Sequence, residues 1–306
     1  MRSDYVQAYI NRGDVLLKMN RTEEALAVYQ SALSHDPMNP DIHYNLGVVA
    51  LEQNKPDQGL LYLNRALELD PQHKEALLNS AIVIQELGLP DLYGLAMDRL
   101  IQLKDLYSEN ERVYFNLGML TMDAGKLAEA ENWFKQAISL KKDFRSALFN
   151  LALLLADQDR PLEAIEPLHQ LLEHHPGHIK ALILLGDIYT NHQRDLDMAE
   201  ECYNRILRVD AVHVQARHNL CVVWVEKGLL ATAETCLQVG LPVYLKITHM
   251  LFRRFWLLHL MRTTSGNILG LYEVESPRRR QKRSHKLHQQ YNSTLVISTS
   301  DCHTYT

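Results

Sequence analysis

The feature that most constrains this chain is a repeat with a period of 34 residues. Aligning one small residue per unit gives Gly13, Gly47, Ala81, Gly118, Ala152, Gly186 and Cys221, spaced by 34, 34, 37, 34, 34 and 35. A second small residue follows about twelve places on, at Ala25, Gly59, Ala130, Ala164, Ala199 and Ala233. Small residues at two fixed places let the backbones of two helices approach closely. A large aliphatic residue precedes the first of them at Leu46, Leu117, Leu151, Leu185 and Leu220. An apolar or aromatic residue follows the second at Tyr29, Leu63, Phe134, Leu168, Tyr203 and Leu237. Proline recurs where the second helix must stop, at Pro37, Pro71 and Pro176, because it has no N–H to continue a helix. A unit this short cannot bury its apolar face alone, so the units must stack.

A helix-turn-helix unit of this period is the tetratricopeptide repeat (TPR). The sequence therefore predicts an all-α fold, a TPR solenoid: a right-handed superhelix of about seven repeats over residues 1–240. The repeats start near residues 6, 40, 74, 111, 145, 179 and 214. The third unit carries three extra residues, with Gly88-Leu89-Pro90 where its helices join. Its second helix, read as roughly 92–103, shows no alanine at the usual place. The seventh unit breaks off at Gly240-Leu241-Pro242. Residues 241–306 form a second region, read as an apolar, basic helix followed by a disordered basic tail. The apolar stretch 243–261 is expected to cap the last repeat with Leu251, Phe255, Leu258 and Met261. Lys246, Arg253 and Arg254 lie inside it, and a central arginine costs about 2.5–3.5 kcal/mol on membrane insertion. A spanning helix is therefore disfavoured.

Residues 241–306 hold ten Lys/Arg and three acids, a balance of +7 that leaves −12 on residues 1–240. An acidic body argues against nucleic-acid binding by the repeats. The four cysteines, Cys202, Cys221, Cys236 and Cys302, form no CxxC pair. They read as buried, reduced thiols packing as small hydrophobes. No apolar leader follows Met1, which implies a cytoplasmic protein if Met1 is the true start.

The first helix of each repeat lines the inner wall of such a superhelix, and its sixth place is asparagine in six of seven units. These are Asn11, Asn45, Asn79, Asn116, Asn150 and Asn219, with Leu184 as the exception. A primary amide both donates and accepts. A row of them can pair with the backbone of an extended peptide whatever its side chains, and can equally serve the repeat's own turns. The fifth place is apolar at Ile10, Tyr44, Leu78, Phe115, Phe149 and Ile183. That excludes the Lys/Arg clamp with which co-chaperone TPR domains grip an acidic tail. The expected partners are protein or peptide ligands. No catalytic motif, metal site or cofactor is called for: His169, His174, His175 and His178 read as a solvated helix end, where histidine suits the dipole. Sequons stand at Asn20-Arg21-Thr22 and Asn292-Ser293-Thr294, the first suitably placed for an N-glycan.

Four stretches carry a closer resemblance: DYVQAYINRGDVLLKMNRTEEAL, YFNLGMLTMDAGKLAEAENWFKQAISLKKDFRSALFNLALLLAD, HHPGHIKALILLGDIY and VQARHNLCVVWVEKGLLATAETCL. Over roughly 3–237 the chain resembles the C-terminal repeats of the transmembrane and TPR-repeat-containing protein O-mannosyltransferases. The resemblance implies an endoplasmic-reticulum membrane enzyme that moves mannose from dolichyl-phosphate-mannose to Ser/Thr of clients, cadherins among them. It implies a lumenal TPR array that engages substrates or partners, and a catalytic, membrane-spanning part N-terminal to it. No such part is present here, so no catalytic residue carries over and the sequence reads as a fragment. Two other readings stand beside it. One is a soluble cytosolic TPR scaffold. The other is the superhelix of an O-GlcNAc transferase-like enzyme, for which the 66 residues after position 240 are too few to hold a transferase domain.

Overall fold

A computed structural model of the chain describes residues 3–239, and every element among them is helical. The expected capping helix and basic tail of residues 241–306, with Asn292 and Cys302, lie outside the described residues. The first four repeats pair α1 (Ser3–Lys18) with α2 (Thr22–His35), α3 (Pro40–Glu52) with α4 (Pro56–Leu69), α5 (Lys74–Glu86) with α6 (Tyr93–Leu106), and α7 (Glu111–Asp123) with α8 (Leu127–Leu140). The last three pair α9 (Arg145–Asp157) with α10 (Ile165–His174), α11 (Ile179–Ile188) with α12 (Leu196–Val209), and α13 (Val214–Glu226) with α14 (Leu230–Val239). The described residues divide within α8 into two compact units, one ending at Trp133 and the other beginning at Phe134.

Each repeat turns at the same backbone device. One residue per repeat adopts a left-handed conformation: Asn20, Asn54, Gly88, Gly125, Asp159, Arg194 and Gly228. In six of the seven repeats the next residue's N–H bonds a carbonyl five residues back, as from Arg21 to Leu16, Lys55 to Ala50 and Lys126 to Thr121. This pattern satisfies carbonyls that a helix end leaves orphaned. Asn, Asp and Gly tolerate the left-handed region best. The sixth repeat differs because it is one residue longer. The extra residue is absorbed as a π turn over Tyr189–Gln193, and the closing bond runs from Asp195 N–H to Tyr189 O at 3.0 Å.

The small residues stand where backbones meet. A Cβ added to Gly47 would lie 3.3 Å from the Gly59 carbonyl oxygen, and one added to Gly59 would lie 3.3 Å from that of Gly47. Ala25, Ala164 and Ala199 are likewise buried, as are Tyr29, Leu63, Leu168 and Tyr203. The third repeat corrects the reading of its second helix. A 3-10 turn over Pro90–Leu92 takes up the insertion, α6 begins at Tyr93, and Ala96 is its buried small residue. The insertion lies between the helices, so it displaced the alanine in sequence without removing it from the interface.

Neighbouring repeats are tied by long polar side chains on the second helices. Gln102 Nε2 donates to the Pro71 carbonyl at 2.9 Å, Gln170 Nε2 to Lys142 at 2.8 Å, and Arg205 Nη2 to Pro176 at 3.0 Å.

The N-termini of the first helices are capped by asparagine or histidine. Asn39 and Asn110 accept from the N–H groups of Asp41 and Arg112. His73, His178 and His213 accept through Nδ1 from Ala76, Ala181 and Ala216 at 3.2, 3.1 and 3.2 Å. A protonated Nδ1 cannot accept, so this cap requires a neutral ring. Burial, Arg145, His175 and Lys180 hold His178 below the usual histidine range, and its ring also meets that of Phe149. The folded state therefore binds fewer protons at His178 than the unfolded chain. Its stabilising contribution is present above about pH 6.5 and is lost as pH falls below that value. His178→Asn, which keeps a cap of the kind seen at Asn39, is expected to remove about 1 kcal/mol of acid-induced destabilisation. The check is denaturant titration of both proteins at neutral and acidic pH. His73 has the opposite sign. Burial opposes its charge, but Asp41 Oδ1 at 3.1 Å from Nε2 prevails and raises its pKa.

Candidate polypeptide-binding face

Residues of successive first helices meet on one side of each unit. In the first unit Tyr44 Oη accepts from Asn79 Nδ2 at 3.2 Å, and the rings of Tyr44 and His73 lie 5.0 Å apart. Gln85 Nε2 donates to Asp123 Oδ2 at 2.6 Å. In the second unit Asn219 Nδ2 donates to Asp187 Oδ1 at 2.9 Å. In the first unit these bonds join the fifth place to the sixth and the twelfth to the thirteenth of the next repeat, and in the second unit the ninth to the sixth.

The six asparagines at the sixth place, four on the first unit and two on the second, occupy different states. Asn11 is exposed and accepts from Gln7 Nε2 at 2.9 Å. Asn45 is half-buried and its amide has no partner among the described residues. Asn79 is 4% exposed, its amide turned onto Tyr44. Asn116 and Asn150 each donate one N–H to the carbonyl four residues back, at 2.8 Å, which leaves the amide oxygen and the other N–H open. Asn219 is committed to Asp187. Asn20 stands elsewhere, exposed in the turn between α1 and α2 with φ 58.

Two polar nests were missed by reading from the sequence. In the first repeat Tyr29 Oη donates to Asp14 Oδ1 at 2.6 Å, and in the sixth Tyr203 Oη donates to Asp187 Oδ1 at 2.7 Å. Both rings are buried, and burial pushes both phenols up. Burial also raises the Asp187 carboxyl, against the hydrogen bonds from Tyr203 and Asn219. The legible signal is that these repeats alone combine Gly-Asp at the eighth and ninth places with a tyrosine on the second helix.

The cysteines correct a second expectation. Cys221 on α13 and Cys236 on α14 form a disulfide, with Cα atoms 6.2 Å apart. The eighth place of one helix faces the small-residue stripe of its partner, which is why these two thiols meet. Cys202 is free and buried, and burial raises its thiol pKa to about 12. Among the described residues no group of three His, Cys, Asp or Glu is arranged to hold a metal, and no helix is long and apolar enough to cross a membrane.

Comparison with known proteins follows this geometry. Families described as TPR repeat and tetratricopeptide repeat match residues 13–54, 40–73, 111–144 and 149–211. The chain belongs to the tetratricopeptide-repeat family. It is 60% identical over 238 residues to Protein O-mannosyl-transferase Tmtc3 of Drosophila melanogaster, covering 78% of this chain and 26% of that one. It is 50% identical over 239 residues to Protein O-mannosyl-transferase TMTC3 of Homo sapiens, with the same coverage. The kinship with the transmembrane and TPR-repeat-containing O-mannosyltransferases is thus borne out over these TPR repeats, and the chain spans about a quarter of its curated relatives' length. Among solved structures, one titled for the functional characterisation of Pseudomonas aeruginosa pilF aligns with a TM-score of 0.59 and 25% identity, covering 68% of this chain and 93% of that one. The APC/C hetero-tetramer Cut9-Hcn1 aligns with a TM-score of 0.56 and 17% identity, covering 71% of this chain and 42% of that one, which speaks for the TPR fold alone.

Proposed function

We propose that this chain is the client-binding TPR region of a protein O-mannosyltransferase, on the lumenal side of the endoplasmic reticulum. It captures extended polypeptide segments, including those of cadherin-type clients, for transfer of mannose from dolichyl-phosphate-mannose by a catalytic part that precedes these repeats. The observation that carries this reading is 60% identity to an O-mannosyl-transferase over nearly the whole TPR array. The amides of Asn45 and Asn116 on the first unit, and of Asn150 on the second, support capture, since each keeps donors or acceptors open on the inner face of its own unit. The Cys221–Cys236 disulfide supports an oxidising compartment rather than the cytosolic scaffold reading, because such bonds are rare where glutathione keeps thiols reduced.

The test replaces Asn45 and Asn116, both on the first unit, with alanine in the full chain. An amide pairing with peptide backbone contributes about 1 kcal/mol, so this double variant should bind extended Ser/Thr-rich client peptides at least roughly tenfold more weakly. Its melting curve should match the parent's. Unchanged affinity would remove the asparagines from the site. In the same cells, an endoglycosidase-sensitive mass on Asn20, absent in Asn20→Gln, reports the lumenal placement.

A further inference from the structure

The inner face of the first unit carries an imbalance of charge that its own side chains do not resolve. Residues 1–133 hold twenty acids against eleven Lys/Arg. Three of those acids gather around Tyr29 and Tyr44 on the first three repeats. The Tyr44 phenol is pushed up by burial first and then by Glu75 and Asp14. That of Tyr29 is pushed up by burial and its bond to Asp14, with Glu52 and Tyr44 adding. The geometry agrees: Tyr44 packs against the core that contains Tyr29, Asp14 holds the Tyr29 hydroxyl, and Glu75 flanks His73, whose ring lies 5.0 Å from that of Tyr44. Asp14 has Tyr29 as its hydrogen-bond partner, and Glu52 has Thr22 at 3.5 Å. Neither carboxylate has a cationic partner among the described residues. Glu75 lies 3.6 Å from His73 Nδ1, but that nitrogen accepts the Ala76 N–H and so carries no proton while it caps. The neighbouring Lys74 is drawn aside, its ammonium 4.7 Å above the Tyr107 ring. At the sixth, ninth and fifth places of the second, third and fourth repeats stand the unpaired Asn45 amide and the half-buried apolar side chains of Ile82 and Phe115.

We propose that the inner face of the first four repeats takes extended polypeptide segments in which lysine or arginine stands beside apolar residues. The cation supplies the counter-charge missing at Asp14, Glu52 and Glu75. The Asn45 amide holds the segment's backbone, and Ile82 and Phe115 receive its apolar side chains. This rests on the reading of that face as a polypeptide-binding one. Charged groups at such a face set the choice of partner and the rate of encounter more than the total affinity, and salt weakens them.

The test uses the full chain and three fluorescein-labelled peptides. These share one Leu/Ala/Ser sequence and carry three lysines, three glutamates or three glutamines. Anisotropy at about 50 mM salt should show the lysine peptide binding roughly tenfold or more tightly than the glutamate peptide. The gap should narrow at about 300 mM salt, where the screening length is shorter. The Glu52→Gln, Glu75→Gln double variant leaves Asp14 to hold Tyr29, so its melting curve should be unchanged. It should remove most of the lysine peptide's advantage over the glutamine peptide without altering the latter. Equal affinity for all three peptides overturns the charge preference and leaves polypeptide binding standing. A lysine preference undiminished in the double variant overturns its placement at Glu52 and Glu75. Binding of none of the three removes the polypeptide-binding reading, and this proposal with it.

Discussion

Replacing Gly186 with alanine is expected to destabilise the sixth repeat by about 1–3 kcal/mol, the cost of overpacking a filled interface. The added Cβ would lie 2.7 Å from Cζ and 2.8 Å from Cε1 of Tyr203. That ring is buried and rigid, and its hydroxyl is held by Asp187 at 2.7 Å, so it cannot swing aside without abandoning a half-buried carboxylate. The chain contains its own solution for a unit without glycine. The fifth repeat reads Ala152-Leu153 on its first helix and Leu168 on its second, where the sixth reads Gly186-Asp187 and Tyr203. Transplanting that triplet, as Gly186→Ala, Asp187→Leu and Tyr203→Leu together, should recover most of what Gly186→Ala loses. The measurement is hydrogen exchange resolved to single helices, because long repeat arrays need not unfold in one step. Loss of protection confined to α11 and α12 in the single variant, restored in the triple, is the expected result. A single variant as protected as the parent would show that the tyrosine ring has room the packing denies it.

That internal substitution explains what could be read in advance and what could not. The period and the small residues at Gly47, Gly59 and Ala164 were legible because backbone contact admits few alternatives. The displaced Ala96 was not, since a period counts residues and an insertion between helices shifts the count without shifting the packing. The face carrying Asn45 and Asn116 was legible as a position in the repeat. The state of each amide was not, because that depends on a neighbour: Tyr44 takes Asn79, and Asp187 takes Asn219. The histidine caps escaped for a related reason. His73 and His178 share the place of Asn39 and Asn110, but only geometry shows that an imidazole nitrogen reaches the third N–H.

Breaking the Cys221–Cys236 bond should cost the seventh repeat about 3 kcal/mol. The bond closes a loop of 15 residues, and that is the chain entropy such a closure removes from the unfolded state. The variant to use is Cys221→Ala with Cys236→Ser. Alanine fills the eighth place of the third and fifth repeats at Ala81 and Ala152, so the packing there survives. Serine suits position 236, which is only half-buried. Protection of amides in α13 and α14 should fall by roughly two orders of magnitude, at about 1.4 kcal/mol per tenfold, while α1 to α6 keep theirs. Reductant provides the control. It should lower protection in the parent to the level of the variant and leave the variant unchanged, because the remaining described thiol, Cys202, is buried and does not exchange. If reductant leaves the parent untouched, the two thiols are not bonded in solution, and the argument for an oxidising compartment would then rest on kinship and on Asn20 alone. If the loss appears as expected, the seventh repeat holds its place only where disulfides persist. Such a bond persists in oxidising compartments, which supports the proposed lumenal placement.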